Sequence, residues 1–166
     1  MWDSNKLSKI DALAMDVDGV LTDGTFTWSS SGEESKSFSF EDVMGLSRAR
    51  NAGLTLGLIS GEGSVLVDRF AAKMEITSVY KNCKDKSEAL RHFSKSGHIP
   101  LDRVAFIGDD VNDLPALEIA GLAFAPANAQ PCVKSVVDLV LGRGGGNGAV
   151  RELIEMILSA RATLAS

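Results

Sequence analysis

The sequence has 166 residues and a mass of 17.6 kDa, close to the usual size of one domain. Its hydrophobic fraction of 45%, charged fraction of 23% and mean hydropathy of +0.07 indicate a globular protein with a real core and exclude intrinsic disorder, collagen and coiled coil. A net charge of −5 argues against nucleic-acid binding, and no apolar run approaches the roughly 20 residues that span a bilayer.

Short apolar runs alternate with longer stretches of helical spacing, which is typical of an α/β domain with a parallel sheet. In chain order, we predict a strand at 10–15, a β-hairpin at 25–40, a helix at 43–51, a strand at 54–59, a helix at 64–74, a strand at 78–80, a helix at 85–96, a strand at 104–107, a helix at 113–119, strands at 122–125 and 137–141, and a helix at 148–161. A glycine-rich segment at 142–148 precedes the last helix. The pattern predicts one domain over 1–166 with a three-layer Rossmann-like parallel sheet and a small inserted hairpin.

An acid pair, Asp16 and Asp18, stands directly after the first predicted strand. Two carboxylates this close repel each other, so a cation or a proton must neutralise at least one of them. The alternative interpretation is that Asp18 and Gly19 form only a turn.

A second acid cluster, Asp109, Asp110 and Asp113, follows the predicted strand at 104–107. By themselves these acids are most economically explained as helix caps. Because the carboxyl ends of parallel strands share one edge of a sheet, this cluster and the acid pair at 16 and 18 should meet there. Up to five carboxylates would then need a hard divalent cation, and an oxygen-only ligand set favours Mg²⁺.

Two further positions lie at the same predicted edge. Ser60 and Gly61 follow the second strand, where a hydroxyl and free backbone N–H groups can hold a phosphoryl oxygen, although Ser60 could be an ordinary helix N-cap. Lys86 opens a helix and could supply a fixed positive charge, although a surface lysine is the simpler interpretation.

The order of these features, acid pair, hydroxyl, lysine and acid cluster, strongly resembles the four motifs of the haloacid dehalogenase superfamily of phosphotransferases. The resemblance implies that Asp16 is a nucleophile that becomes an aspartyl phosphate. It implies that Asp18 protonates the leaving alcohol and then activates water. It also implies that Mg²⁺ is bound by Asp16, Asp109 and the backbone carbonyl of Asp18.

The same resemblance assigns supporting roles to the other motif residues. Ser60, Gly61 and Lys86 would hold the transferring phosphoryl group, Asp113 would orient Lys86, and Asp110 would assist the metal shell. Covalent catalysis with electrostatic neutralisation by a metal and a lysine suits the attack of an anion on an anionic phosphate.

The gaps between the motifs hold no cap domain, so the chain resembles the capless subclass. Within it, segments 18–24, 40–45 and 145–152 are similar to the 3-deoxy-D-manno-octulosonate 8-phosphate phosphatases and the nonulosonate 9-phosphate phosphatases. The resemblance implies a homotetramer in which the hairpins form a central barrel and the glycine-rich tail lies near a neighbour's site. Aromatic residues of the hairpin would then pack between subunits, or else form an ordinary hairpin core; these are Phe26, Trp28, Phe38 and Phe40.

Glu62 is where this chain departs from the octulosonate enzymes, which usually carry arginine two residues after the motif-two hydroxyl. The nonulosonate enzymes carry glutamate there, and Asn147 also replaces a common arginine of the octulosonate branch. These differences favour a nine-carbon substrate. Candidate partners for a sugar carboxylate are basic side chains that could equally be surface charges: Arg69, Lys73, Arg143 and Arg151.

We therefore predict a cytoplasmic, Mg²⁺-dependent phosphatase of a sugar-acid phosphate that binds copies of itself and neither nucleic acid nor membrane. One alternative is a phospho-receiver module, whose acceptor Asp lies on a later strand than the acid pair; here that strand ends in Ser60. Another is a catalytically silent assembly module, which usually loses the first or second aspartate, whereas this chain keeps Asp16 and Asp18. Mg²⁺-dependent turnover of an aryl phosphate distinguishes an enzyme from a receiver.

Overall fold

A computed structural model describes residues 4–164 of the chain. Its strands are β1 (Ala12–Met15), β2 (Thr27–Trp28), β3 (Glu34–Ser35), β4 (Thr55–Ile59), β5 (Ser78–Tyr80), β6 (Val104–Ile107), β7 (Leu122–Ala125) and β8 (Leu139–Val140). Its α-helices are α1 (Ser4–Leu7), α2 (Phe40–Asn51), α3 (Val65–Met74), α4 (Lys86–Ser96), α5 (Leu114–Ile119), α6 (Pro131–Lys134) and α7 (Ala149–Leu164). Two 3₁₀ turns, Leu101–Arg103 and Val111–Asp113, flank β6.

Six strands form one parallel sheet in the order β5-β4-β1-β6-β7-β8. The first strand lies inside the sheet, with β4 on one side and β6 on the other. After β1 the chain builds outward through β4 and β5, then returns to β6. In an open parallel sheet this reversal leaves a crevice at the carboxyl ends of the central strands, which is the expected place for a ligand site.

The core has two layers, one on each face of the sheet. Side chains alternate along β1, so that Leu13 and Met15 pack in one layer and Ala12 and Ala14 in the other. The first layer also contains α2, α3 and α7 residues, and the second contains Phe93 and residues of α4, α5 and α6. The predicted three-layer α/β architecture is confirmed.

The inserted hairpin is shorter than predicted. Within 25–40 only Thr27–Trp28 and Glu34–Ser35 pair, as a two-stranded antiparallel ribbon. The sequence predicts that the hairpin extends to Phe40, but Phe40 begins α2. The side chain of Ser39 accepts a hydrogen bond from the backbone N–H of Glu41 and caps the helix there. Between β1 and β4 the chain forms only this ribbon and α2, which leaves no room for a cap domain.

The other predicted strands and helices are present with small shifts in their ends. The last strand is restricted to Leu139–Val140 within the predicted 137–141. The sequence patterns missed α1 and α6, each of only four residues, and the two 3₁₀ turns. Among residues 4–164, none of the helices combines the length and apolar character needed to span a bilayer.

Candidate active site

The motif residues meet at the carboxyl edge of the sheet. Asp16 follows β1, Ser60 follows β4, and Asp109 lies two residues beyond β6. The backbone N–H of Asp16 donates to the carbonyl of Ile107 at 3.0 Å, so the sheet pairing continues into the site and fixes the height of Asp16 above the core. The predicted convergence of the motifs is therefore present.

A polar cavity of about 230 Å³ opens at this edge. Four of its lining residues are aspartates, and the other four come from the loops around them. The lining residues are Asp16, Asp18, Gly24, Gly61, Glu62, Asp109, Asp110 and Asn112.

Lys86 contacts Asp16, one of the aspartates that line this cavity. Its side chain is buried, and its Nζ lies 2.8 Å from Oδ1 of Asp16 and 2.6 Å from Oδ1 of Asp113. Burial lowers the pKa of Lys86, but the carboxylates of Asp16 and Asp113 outweigh it and the pKa is raised overall. Lys86 is therefore a fixed positive charge, and the surface-lysine interpretation is wrong.

One lysine does not neutralise the acids packed around it. Burial raises the pKa of Asp16 well above its usual value; repulsion from Asp113 adds to this, and Lys86 only partly offsets it. Burial, followed by repulsion from Asp113, raises the pKa of Asp109 to about 6. The site therefore carries more negative charge than its own residues balance.

These acids fit a divalent metal ion. One carboxylate oxygen from each of Asp16, Asp109 and Asp113 lies within 4.8 Å of the others, and Oδ1 of Asp109 is buried with no hydrogen-bond partner. A buried carboxylate oxygen without a partner is costly unless a ligand takes that place. The oxygen-only donor set suits a hard cation such as Mg²⁺.

Asp113 is already fully engaged by the protein. Its Oδ1 accepts from Lys86, and its Oδ2 accepts from the backbone N–H groups of Asp109 at 2.8 Å and Asp110 at 3.2 Å. This leaves Asp16 and Asp109 as the side chains that can hold the ion. Asp113 contacts Lys86 as the resemblance implied.

Asp110 forms a capping box with Asp113. It precedes the 3₁₀ turn at 111–113, and its Oδ1 accepts from the backbone N–H of Val111 at 2.7 Å. The cap interpretation of the sequence therefore holds for Asp110, which also lines the cavity.

The side chain of Asp18 lies outside the group formed by Asp16, Asp109 and Asp113, which we call the metal cluster because these acids fit one metal ion. Its Oδ1 lies 2.7 Å from Nζ of Lys36, a residue just after β3 in the hairpin whose side chain is only 4% exposed. Asp18 remains 30% exposed at the cavity wall. The first and second aspartates of the acid pair therefore occupy different surroundings, one with Lys86 and one with Lys36.

The loop between Asp16 and Gly24 is shaped by tight backbone contacts. The hydroxyl of the buried Thr22 accepts from the N–H groups of Gly19 and Gly24, both at 3.2 Å. Gly19 has φ +86°, and a Cβ there would lie 2.0 Å from Oδ2 of Asp109. Only glycine lets the backbone come this close to that carboxylate, so the Asp18-Gly19 turn is part of the site.

The glycine-rich segment packs onto the same loop. Asn128 donates to the carbonyl of Gly19 at 3.0 Å and accepts from the N–H of Gly145 at 2.6 Å. A Cβ on Gly145 would lie 2.0 Å from the Gly19 carbonyl oxygen. The resemblance implied that this segment lies near the site of a neighbouring subunit. In the single chain the segment packs against the 16–24 loop of the same chain.

Ser60 and Gly61 occupy the predicted edge in different ways. Ser60 is buried, and its hydroxyl accepts from the N–H of Glu62 at 3.1 Å, which folds the loop after β4. The helix N-cap is Ser64, so that interpretation of Ser60 is wrong. Gly61 and Glu62 line the cavity.

Of the five predicted specificity residues, Glu62 alone lines the acidic cavity. Arg69 and Lys73 line two other clefts, one beside the hairpin and one beside Phe38 and Phe70. Arg143 pairs with Glu41 and Arg151 with Glu155.

Sequence reasoning missed several residues that shape the site. They are Thr22, Gly24, Lys36, Asn112 and Asn128. Asn112 stands inside the acid motif and could have been included on that ground. Lys36 and Asn128 reach the site only through the fold, and nothing in the local sequence marks them.

The chain is similar to known hydrolases and phosphatases. Residues 60–153 match the family model of haloacid dehalogenase-like hydrolases. The chain is 38% identical over 156 residues to the 3-deoxy-D-manno-octulosonate 8-phosphate phosphatase KdsC of Haemophilus influenzae, covering 94% of this chain and 87% of that protein. The KdsC of Escherichia coli K12 is 35% identical over 159 residues, covering 96% of this chain and 85% of that protein.

A solved structure agrees with these matches. The 3-deoxy-D-manno-octulosonate 8-phosphate phosphatase of Moraxella catarrhalis was solved in complex with a magnesium ion, a phosphate ion and KDO. It is 38% identical, with a TM-score of 0.93 over 98% of this chain and 93% of that one.

Proposed function

The chain belongs to the haloacid dehalogenase-like hydrolase family, and from this premise we propose that it removes the terminal phosphate from a 2-keto-3-deoxy sugar acid. It is a phosphatase of phosphate monoesters that uses Mg²⁺. The observation that carries the proposal is the cavity lined by Asp16, Asp18 and Asp109, with the buried Lys86 paired to Asp16.

The first chemical step is phosphoryl transfer to Asp16. A carboxylate oxygen of Asp16 attacks phosphorus, the bond from phosphorus to the sugar oxygen breaks, and the proton of Asp18 goes to that oxygen. The product alcohol leaves, and Asp16 carries an acyl phosphate. The ion pair with Lys86 and the hydrogen bond from the N–H of Val17 at 2.7 Å hold Oδ1 of Asp16 in place.

The second step is hydrolysis of this intermediate. Asp18, now a carboxylate, takes a proton from water, and the water oxygen attacks phosphorus. The bond to Asp16 breaks, inorganic phosphate leaves, and both aspartates return to their starting states. Lys86 and the backbone N–H of Gly61 suit the phosphoryl oxygens, because the N–H groups of Ser60 and Glu62 donate to Tyr80 and to the Ser60 hydroxyl.

Magnesium, when bound, offsets negative charge that would repel the phosphate from Asp16. Asp16 and Asp109 would hold it, together with the backbone carbonyl of Asp18. Asp113 contributes indirectly by fixing Lys86 and the backbone of residues 109 and 110.

Two sugar acids fit this proposal, and each has its own support. The eight-carbon substrate, 3-deoxy-D-manno-octulosonate 8-phosphate, is supported by the names of curated relatives at 35% and 38% identity. A nine-carbon nonulosonate 9-phosphate is supported by Glu62, which lines the cavity where octulosonate enzymes usually carry arginine.

Steady-state phosphate release tests the function. Wild type with Mg²⁺ should hydrolyse at least one of the two sugar-acid phosphates with kcat/KM at least tenfold above that for glycerol phosphate, and excess EDTA should stop turnover. Equal kcat/KM for all three esters would refute the sugar-acid assignment. No hydrolysis of any ester, including p-nitrophenyl phosphate, would refute the phosphatase itself.

A substitution at Glu62 separates the two sugar acids. If Glu62 accepts hydrogen bonds from hydroxyls of a nine-carbon sugar, E62R should lower kcat/KM for the nonulosonate phosphate and leave p-nitrophenyl phosphate within about threefold. An unchanged ratio between the two sugar acids in E62R would show that Glu62 does not select the substrate.

A further inference from the structure

We propose that Lys36 is a positioning residue for Asp18, so that the inserted hairpin holds the acid/base carboxylate of the reaction. The inference rests on the proposed function, because it gives Lys36 a task in the same phosphoryl transfer. It goes beyond the motif residues, since Lys36 lies in none of them.

The contact between Lys36 and Asp18 is close and shielded. Nζ of Lys36 lies 2.7 Å from Oδ1 of Asp18, and the lysine side chain is 4% exposed. Glu34 lies farther from the same ammonium group, at 3.8 Å. Burying a lysine side chain costs desolvation free energy, which an ion pair can offset. The closest ion pair of Lys36 is with Asp18.

The pair lies where two cavities join. The acidic cavity and a neighbouring cleft of about 380 Å³ share Asp18, Gly24 and Glu62. Lys36 lines only the cleft, together with Phe26, Trp28 and Glu34 from the hairpin. Asp18 thus lies between the acidic cavity, where the phosphate would bind, and the cleft. The oxygen of a leaving alcohol would lie at this boundary.

Lys36 also explains why the side chains of Asp16 and Asp18 have different neighbours. Asp16 contacts Lys86 and belongs to the metal cluster with Asp109, whereas the side chain of Asp18 is outside that cluster. An ammonium group on the hairpin side draws the Asp18 carboxylate away from the metal cluster and toward the cleft. Proton transfer needs this placement, because an acid must lie within hydrogen-bond reach of the atom it protonates.

The test compares two phosphate esters that differ in their need for an acid. Nitrophenolate leaves without a proton, whereas the alkoxide of glycerol phosphate needs one. Since kcat/KM reports the steps up to alcohol release, K36M should lower kcat/KM for glycerol phosphate by about 10- to 100-fold and for p-nitrophenyl phosphate by less than about threefold. K36R, which keeps the charge, should restore most of the loss on glycerol phosphate.

Controls separate this role from others. K95M removes an exposed lysine near the end of α4 and should change neither ester. Neither ester has a carboxylate, so a Lys36 that only bound the sugar carboxylate would leave both unchanged in K36M, which would overturn the proposal. Equal losses on both esters, or no recovery in K36R, would also overturn it.

The result can be told apart from a failure of the proposed function. A wild type that hydrolyses neither ester refutes the phosphatase and this inference together. A wild type active on both esters, with K36M showing no selective loss, refutes the inference and leaves the phosphatase standing. If K36M does not fold by circular dichroism, the same comparison is made with K36Q and K36R.

Discussion

Two lysines form ion pairs with different acidic side chains of the site. Lys86 contacts two buried aspartates of the metal cluster, and Lys36 contacts Asp18. Asp109 keeps a buried oxygen without a hydrogen-bond partner. The aspartates that we propose to attack, protonate and bind metal therefore differ in their surroundings, and we attribute their different roles to those surroundings.

Magnesium binding should depend on pH through Asp109. Its pKa is raised to about 6, mainly by burial, so protons compete with the ion as the pH falls through that value. We expect the Kd for Mg²⁺ to rise as the pH falls from 8 to 5, because protons compete with the ion at Asp109 and also at Asp16, whose pKa is raised as well. Isothermal titration calorimetry at pH 5, 6 and 8 measures this, with D109N as the non-binding control. A Kd that does not change with pH would contradict the raised pKa.

Alanine at position 19 should disable the site by crowding Asp109. G19A adds a methyl group in the path of the Asp109 carboxylate at a backbone φ of +86°. The φ alone costs about 1 to 2 kcal/mol of stability, and G32A is the matched control because Gly32 has φ +85° with nothing within 4 Å of its Cβ position. We expect more than a tenfold loss of kcat/KM in G19A and less than twofold in G32A. Equal activities would show that this close approach is unimportant.

At the scale of elements, α2 supports the start of α7. Oδ1 of Asp42, in the first turn of α2, accepts a hydrogen bond from the backbone N–H of Arg151 at 2.9 Å. Asp42 is 1% exposed, and its Oδ2 is buried without a hydrogen-bond partner. The carboxylate thus caps another helix, directly after the glycine-rich segment that supports the site loop.

Stability should depend on pH at Asp42. Burial raises its pKa, outweighing the hydrogen bonds from the backbone of Arg151 and Gly148, so the folded chain holds its proton more tightly than the unfolded chain. The stability that Asp42 contributes is therefore full at low pH and is lost as the pH rises through its folded pKa.

D42N isolates this effect, because asparagine can still accept from the N–H of Arg151. The unfolding free energy of wild type, relative to D42N, should fall between pH 4 and pH 7 in urea titrations. D42A removes the cap and should be about 1 kcal/mol less stable than D42N at either pH. A difference between wild type and D42N that stays constant with pH would contradict this reasoning.

Periodicity predicted the long elements because each has one buried face or a fully buried run. The strand Ala12–Met15 is entirely buried, and α4 carries charged residues on its outer face, so both are evident from the sequence. Helix α6 has four residues, too few to show a period. The start of α2 depends on one cap, Ser39, which the alternation of aromatic residues in the hairpin concealed.

At the scale of the whole molecule, the sequence predicted those site residues whose position follows from the ends of the parallel strands. Asp16 and Asp109 meet because parallel strands end at one edge, which a sequence can foretell. Lys36 and Asn128 reach the site through the return of the hairpin and of the chain after β7. Their contacts depend on tertiary packing that no local pattern encodes.

Assembly is the second question at this scale. Phe38 stacks on Phe70 of its own chain at 4.2 Å, but Phe26, Trp28 and Phe40 are 53%, 65% and 80% exposed. Three of the four aromatics expected between subunits therefore remain candidates: Phe26 and Trp28 of the hairpin, and Phe40 at the start of α2.

Light scattering should give about four times the chain mass of 17.6 kDa. W28E should shift that mass downward, and T25E, at an exposed position before the ribbon, should not. A wild-type chain that is monomeric at micromolar concentration would contradict the tetramer.

Chemical trapping at Asp16 tests the central claim most directly. Borohydride reduces an acyl phosphate to an alcohol, so a chain quenched during Mg²⁺-dependent turnover of p-nitrophenyl phosphate should carry homoserine in place of Asp16, seen by peptide mass spectrometry. Without substrate, Asp16 should be unmodified. Homoserine at another aspartate, or an intact Asp16 in a chain that is turning over and accumulates a borohydride-sensitive intermediate, would contradict the account.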